Sequence, residues 1–243
     1  MKTLEPIWST KTETASRVRG RIESVLDWAT VRGYRTGENP ARWKGHLDHL
    51  LPKRSKVQKV EHHAALPYAA APAFMVALRE QQSMAAKAME LLILTATRTG
   101  EVIGARKEEF DLDAKLWTIP AERMKAGLEH RVPLSKAALR IVKTLHDSQQ
   151  GDFLFPGQAK AKPLSNMALL QLLKRMERAD ITAHGFRSTF RDWVGETTSY
   201  PREVAEAALA HLLKNKAEAA YARGDLFTKR ALMMQAWADF LKT

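Results

Sequence analysis

The first clear periodicity runs from residue 14 to about 34, where Ala15, Val18, Ile22, Val25, Leu26 and Ala29 recur at three- and four-residue steps. That spacing predicts a helix with one apolar face. The opposite face carries Arg17, Arg21 and Arg32, and Gly33 followed by Gly37-Glu38-Asn39-Pro40 supplies the stop signals. A short helix-loop unit continues to about residue 51. Residues 52–63, PKRSKVQKVEHH, hold many charges and few large apolar side chains, which predicts a linker.

Beyond that boundary, residues 72–81 and 83–96 are Ala/Leu/Met-rich helical patterns, the second running into Thr97-Arg98-Thr99-Gly100. Arg98 falls close to the start of the next turn or helix, 101–106. The pattern then changes to short strand-like pieces at 116–119 and 130–134, separated by a polar segment with Lys125-Ala126-Gly127. They predict a β-hairpin. Ser135 is positioned to cap a helix over 136–146 and Ser165 one over 166–178. After Thr182 the chain reads as helices joined by short turns. The expected fold class is therefore α+β, mainly helical with a small β-hairpin or sheet.

Composition adds constraints. With 243 residues, 45% apolar and 27% charged, the chain suits one substantial core with a small region attached. No cysteine is present, so disulfides and thiolate metal sites are excluded. The N-terminus lacks a basic stretch followed by an apolar one, and no apolar run approaches spanning length, so a cytoplasmic, nucleoid-associated protein without a membrane partner is expected. A net charge of +12 points to a polyanion such as nucleic acid. Residues 1–60 hold 13 Lys and Arg against 6 Asp and Glu, so the basic character is concentrated there. Arg17, Arg21, Lys53, Arg54, Lys56 and Lys59 are the candidate DNA-binding residues.

Candidate chemistry comes from polar residues set in apolar, helix-forming surroundings, where an unpaired charge is costly. Arg98 follows an apolar helix, His184 and Arg187 stand three apart, His211 follows Ala207-Ala208-Leu209-Ala210, and Tyr221 follows Ala219-Ala220. Residues three apart share a helix face, so His184 and Arg187 can point at one ligand. Guanidinium forks match phosphate oxygens and suit a transition state with extra negative charge. An imidazole exchanges a proton near neutral pH, and a lysine on a hairpin tip can reach into a groove. Taken singly each residue has a plainer reading. His211 can be a hydrogen-bonded core histidine, Tyr221 a helix residue with a wet hydroxyl, Lys125 a solvated turn residue, and Arg98 a charge at a helix C-terminus.

Order and spacing change that. Thr97-Arg98-Thr99-Gly100-Glu101, Lys125 in a hairpin, His184-Gly185-Phe186-Arg187, His211, and Tyr221 ten residues later resemble the Arg, Lys, His-x-x-Arg, His, Tyr signature of tyrosine recombinases, the phage integrase family. Arg191-Asp192-Trp193 and the segment 219–225, AAYARGD, are similar to prophage integrases of the P4-like group. The resemblance implies a tyrosine-recombinase catalytic fold over 66–243, preceded by a partial helical core-binding region at 1–51 and a basic linker at 52–65. It begins inside the family pattern, so an N-terminally truncated integrase is expected.

The resemblance also implies roles. Tyr221 would attack a phosphodiester, forming a 3′-phosphotyrosyl bond and freeing a 5′-hydroxyl, with Arg98 and Arg187 clamping the non-bridging oxygens. Lys125 would protonate the leaving 5′-oxygen, His184 would assist proton transfer at Tyr221, and His211 would bind the phosphate or brace the tyrosine. Glu101 would orient an arginine. No cofactor and no metal are expected. Expected partners are double-stranded DNA bearing attachment sites, further copies of the chain on DNA, and accessory DNA-bending or excisionase proteins.

The stripe Leu226, Met233, Trp237, Phe240 and Leu241 reads as core packing, or, by the resemblance, as a helix that docks on a neighbouring subunit. Two rival functions are a catalytically impaired DNA-binding remnant, recognised by salt-sensitive binding without adducts, and a type IB topoisomerase-like relaxing enzyme, recognised by plasmid relaxation.

Overall fold

A computed structural model describes residues 3–53, 57, 64–148, 150–159, 161–211 and 224–242. Two compact units divide the chain, Met1–His62 and His63–Thr243.

The first unit is built on α1 (Glu5–Trp8) and α2 (Thr12–Val31). Its core is small: Leu4, Trp8, Ala15, Leu47 and Leu51 are buried, with Trp8 stacked on Trp43 at 5.4 Å. So little apolar area calls for polar fastening. Asn39, 8% exposed, donates to the Glu23 carbonyl at 2.9 Å and to Asp27 at 2.6 Å, and its own oxygen accepts from the Ala41 amide at 2.9 Å. Those bonds turn the chain back along α2. The apolar stripe expected on this helix is only partly buried: Ala15 is enclosed and Val18, Ile22, Leu26 and Ala29 are half-buried, but Val25 is 62% exposed. The C-terminal half of the stripe is therefore covered only in part.

The second unit is organised around α4 (Met84–Thr95), which follows α3 (Ala71–Arg79). Ser83 caps α4 by accepting from the Ala86 amide at 3.2 Å. Ala85, Ala86, Ala88, Met89 and Leu91–Leu94 are buried, and only the narrow face of Lys87 and Glu90 reaches solvent, as befits a helix enclosed on most sides. It packs against α3, α5 (Thr99–Ile103), α6 (Lys136–Ser148), α7 (Ala168–Arg175), α8 (Gly185–Thr197) and α10 (Phe227–Phe240). Ser135 caps α6 through the Ala138 amide at 3.3 Å. Ser165 does not cap α7. Its hydroxyl accepts from the Met167 amide at 3.2 Å, and the helix starts one residue later at Ala168.

The expected hairpin is present and gains a strand. β1 (Phe110–Asp111), β2 (Leu116–Ile119) and β3 (His130–Pro133) form an antiparallel sheet in that order, with Trp117 opposite both Phe110 and Val132. Two residues are too few to show a period of two, so β1 is invisible in the sequence pattern. The short α5 begins at Thr99 rather than at residue 101, because Arg98 and Glu101 together close its first turn.

The C-terminal stripe packs inward. Met233, Trp237 and Leu241 are fully buried, and Trp237 meets Trp193 at 5.0 Å and Phe190 at 5.6 Å. Its indole N–H donates to the Ile93 carbonyl at 2.8 Å. Ile93 lies in the last turn of α4, where carbonyls lack intrahelical partners, so α10 satisfies one of them. No helix among the described residues is long and apolar enough to cross a membrane.

Candidate functional site

The remaining carbonyls at the C-terminus of α4 explain where the site lies. Ala96 adopts a left-handed conformation, φ 51°, which turns its carbonyl off the helix axis. Arg187, in the first turn of α8 and only 5% exposed, donates Nη1–H to that carbonyl and Nη2–H to the Leu209 carbonyl, the latter at 2.5 Å. A cation at the negative end of a helix is favourable, and both carbonyls are satisfied by one side chain.

Leu209 belongs to the turn that ends α9 (Arg202–Ala208). Successive groups of this turn are held by different parts of the chain. His130 of β3 hydrogen-bonds the backbone of Ala208, Arg187 takes Leu209, and Arg98 Nη2–H donates to Ala210 at 3.3 Å. Ala210 is also left-handed, φ 48°. Such strain at two alanines costs of order 1–2 kcal/mol each, and at each the carbonyl meets a guanidinium.

Arg98 is fixed by Glu101, which accepts from its Nη1 at 2.8 Å and from its backbone amide at 2.7 Å. Glu101 is 4% exposed, so this pairing orients the arginine as expected of it. The imidazole of His211 completes the group: Nε2 lies 3.2 Å from Arg187 Nη2 and Nδ1 lies 2.7 Å from Glu206. Burial, reinforced by the Arg98 charge, lowers the Arg187 pKa to about 10, which still leaves it a cation at neutral pH. His130 is driven further, to about 4, by burial and then by Arg230, against the opposing charge of Glu101. It is neutral.

Arg98, Arg187 and His211, widely separated in sequence, are thus brought together. His184 stands immediately before α8, on the solvent side of the turn whose interior holds Arg187. The two share a helix end, where Arg187 is buried and His184 exposed. Lys125 is exposed on the turn between β2 and β3. Of the proposed DNA contacts, Arg17 pairs with Glu13 at 2.8 Å, and Arg21 and Lys53 are exposed. Tyr221, Arg54, Lys56 and Lys59 lie outside the described residues.

Sequence reasoning missed the residues that hold this group in place. Buried Glu109 accepts from the Trp117 indole at 2.9 Å and pairs with Arg123, and Arg123 Nη2–H donates to the Glu101 carbonyl at 2.5 Å. The Lys125 turn is thereby tied to the segment that carries Arg98. Gly104 lets Arg123 approach closely, since a Cβ there would lie 3.1 Å from Arg123 Nη2 and press it aside by a few tenths of an ångström. Arg230, 1% exposed, donates to the Asp225 carboxylate at 2.8 Å and to the Arg131 carbonyl at 2.6 Å, joining α10 to β3. A signal for Arg230 existed: it sits at the core-facing position between Leu226 and Met233 in the C-terminal stripe. Glu206 offered only an acid within an alanine-rich helix, five residues before His211. Among the described residues there is no group of three or more His, Cys, Asp or Glu that could hold a metal ion.

Comparison with known proteins agrees with this fold. The phage integrase family profile matches residues 66–225 and the phage integrase central domain profile residues 1–46. The chain belongs to the phage integrase family, whose catalytic fold is that of the tyrosine recombinases. Within it, the relatives place it in the P4-like group. It is 36% identical over 233 residues to prophage integrase IntZ of Escherichia coli K12, covering 95% of this chain and 56% of the relative. It is 31% identical over 253 aligned positions to the integrase of enterobacteria phage P4, covering 96% and 56%. The chain thus spans just over half the length of these relatives. Among solved structures, a lambda integrase dimer bound to a COC′ core site superposes with a TM-score of 0.63 at 17% identity, over 92% of this chain and 78% of that one. The integrase of mycobacterium phage Brujita superposes with a TM-score of 0.55 at 19% identity, over 94% and 75%. Both share the fold.

Proposed function

We propose that this chain breaks and rejoins DNA as a site-specific recombinase in prophage or mobile-element integration and excision. The observation that carries the reading is the meeting of Arg98, Arg187 and His211 at the turn after α9, ten residues before Tyr221. Two permanently charged forks beside one imidazole form a receptor for a phosphodiester and for the charge that builds on its oxygens.

Tyr221 is the nucleophile in this reading. Its phenolic oxygen bonds to phosphorus as the 5′-oxygen leaves, and Lys125 gives that oxygen a proton. The product is a 3′-phosphotyrosyl ester that conserves the bond until a second 5′-hydroxyl attacks it. His184 assists the proton of the phenol, and His211 either binds the phosphate or braces the tyrosine. The N-terminal unit acts as a core-binding region, contacting the backbone of an attachment site through Arg17, Arg21 and the basic segment from Lys53 to Lys59. The relatives' names and the DNA-bound dimer and tetramer of lambda integrase support double-stranded DNA as substrate and self-association on it. Accessory DNA-bending or excisionase proteins and a cytoplasmic location fit the same reading.

A nicked suicide substrate carrying candidate sites tests it. The wild type is expected to give a covalent protein–DNA band on a denaturing gel, and Tyr221→Phe is expected to bind the same DNA without one. Salt-sensitive binding with no band from the wild type would mean a DNA-binding remnant instead.

A further inference from the structure

Glu206 has no part in the site as the sequence describes it, yet it makes the closest contact to His211. Its Oε2 lies 2.7 Å from His211 Nδ1, and the carboxylate is only 18% exposed. The other oxygen sits 3.0 Å from Arg191 Nε and 3.9 Å from Arg202 Nε, so α8 and α9 both lend it positive charge. Arg191 at 3.0 Å is an ionic neighbour rather than a well-aligned hydrogen-bond donor, since Oε1 is buried without one. With this surrounding charge and the His211 bond, the Glu206 pKa falls below the usual carboxylate range, although burial opposes the shift.

The chemistry of the partners then decides the imidazole. An ionised carboxylate can only accept a hydrogen bond and a guanidinium can only donate one. Nδ1 faces the carboxylate and Nε2 faces Arg187 Nη2 at 3.2 Å, so Nδ1 must hold the proton and Nε2 must present its lone pair. From this geometry we infer that Glu206 is a positioning residue that locks His211 as its Nδ1–H tautomer, so that carboxylate, imidazole and Arg187 guanidinium form one hydrogen-bonded chain ending at the phosphate site. The same chain explains why Arg187 does not swing: Ala96, Leu209 and His211 hold it from three sides. This inference rests on the recombinase reading for its catalytic consequence but not for its tautomer.

Two measurements separate those parts. Nitrogen-15 spectra of the histidine rings in the full chain, with His211 assigned through His211→Asn, are expected to show His211 protonated at Nδ1 and bare at Nε2. In Glu206→Gln, which keeps the shape and removes the charge, that signature is expected to give way to a mixture with Nε2–H, while Arg191→Ala leaves it in place. Adduct formation in Glu206→Gln is expected to fall about 10- to 100-fold, by analogy with the loss of a carboxylate that orients a metal-bound histidine. In a His211→Asn background the same change is expected to have no further effect.

A wild-type ring protonated at Nε2, a Glu206→Gln spectrum identical to wild type, or full additivity in the double variant would each overturn the inference. If the wild type yields no adduct, the recombinase reading falls, and the spectra still decide whether Glu206 sets the tautomer.

Discussion

Burial of His130 inside β3, reinforced by the Arg230 charge, lowers its pKa from an ordinary value near 6.5 to about 4. Between those limits the unfolded chain binds a proton that the folded one refuses. Stability from this residue is therefore complete above about pH 6.5 and declines as the pH falls toward 4, by about 3 kcal/mol in all. Urea unfolding at pH 7 and pH 4.5 should show the loss, and His130→Gln should flatten that part of the profile. Arg187 has a second kind of cost. Replacing it by Ala strands the buried Ala96 and Leu209 carbonyls, at about 1–3 kcal/mol for each. The variant should therefore lose stability as well as cleavage, and a denaturant midpoint measured beside the adduct assay checks both.

At the scale of elements, the site depends on two close approaches. A Cβ on Gly185 would come within 2.2 Å of the Ala64 carbonyl oxygen, which also accepts from the Thr182 amide at 3.1 Å. That crossing packs residues 64–66 under the first turn of α8, where Thr189 binds the Leu66 carbonyl at 2.6 Å. Gly185→Ala should destabilise by about 1–3 kcal/mol, the usual cost of overpacking. Each kcal/mol corresponds to roughly 2–4 °C in Tm for a unit of this size, so calorimetry is sensitive enough. The second approach is Arg123 over Gly104. Arg123→Ala would leave Glu109 buried without its cation, at about 3–5 kcal/mol. It should also loosen the tie between the Lys125 turn and Glu101. Adduct formation should fall more steeply than the folded fraction does, which parallel circular dichroism would reveal.

Across the whole molecule, the net charge of +12 includes both internally paired arginines and exposed ones. Arg21 is exposed, whereas Arg17 is already paired with Glu13. If the N-terminal unit tracks a phosphate backbone, Arg21→Ala should reduce the slope of log binding constant against log salt by about one, and Arg17→Ala by less. Equal slopes for wild type and both variants in a salt titration would remove this unit from the contact surface. The exposed Val25 shows why the stripe on α2 is readable as a helix and unreadable as a core. Periodicity reports which residues share a face; what covers that face is a property of the rest of the fold.

The same division holds elsewhere. Sequence alone determined the helices with long apolar runs, the β2–β3 pair, the Ser135 cap, and the order of Arg98, His184, Arg187, His211 and Tyr221, because local spacing and residue type suffice for these. Tertiary structure alone decided that Ala96 and Ala210 turn left-handed to offer carbonyls to two arginines, that Glu109 and Arg123 tie a hairpin turn to α5, and that Glu206 meets His211. Each of these is a bond between a charged group and a partner in another segment or across a chain reversal. Such partners are chosen by which buried donors and acceptors are left over once the helices and strands have packed, and one-dimensional patterns do not record that remainder.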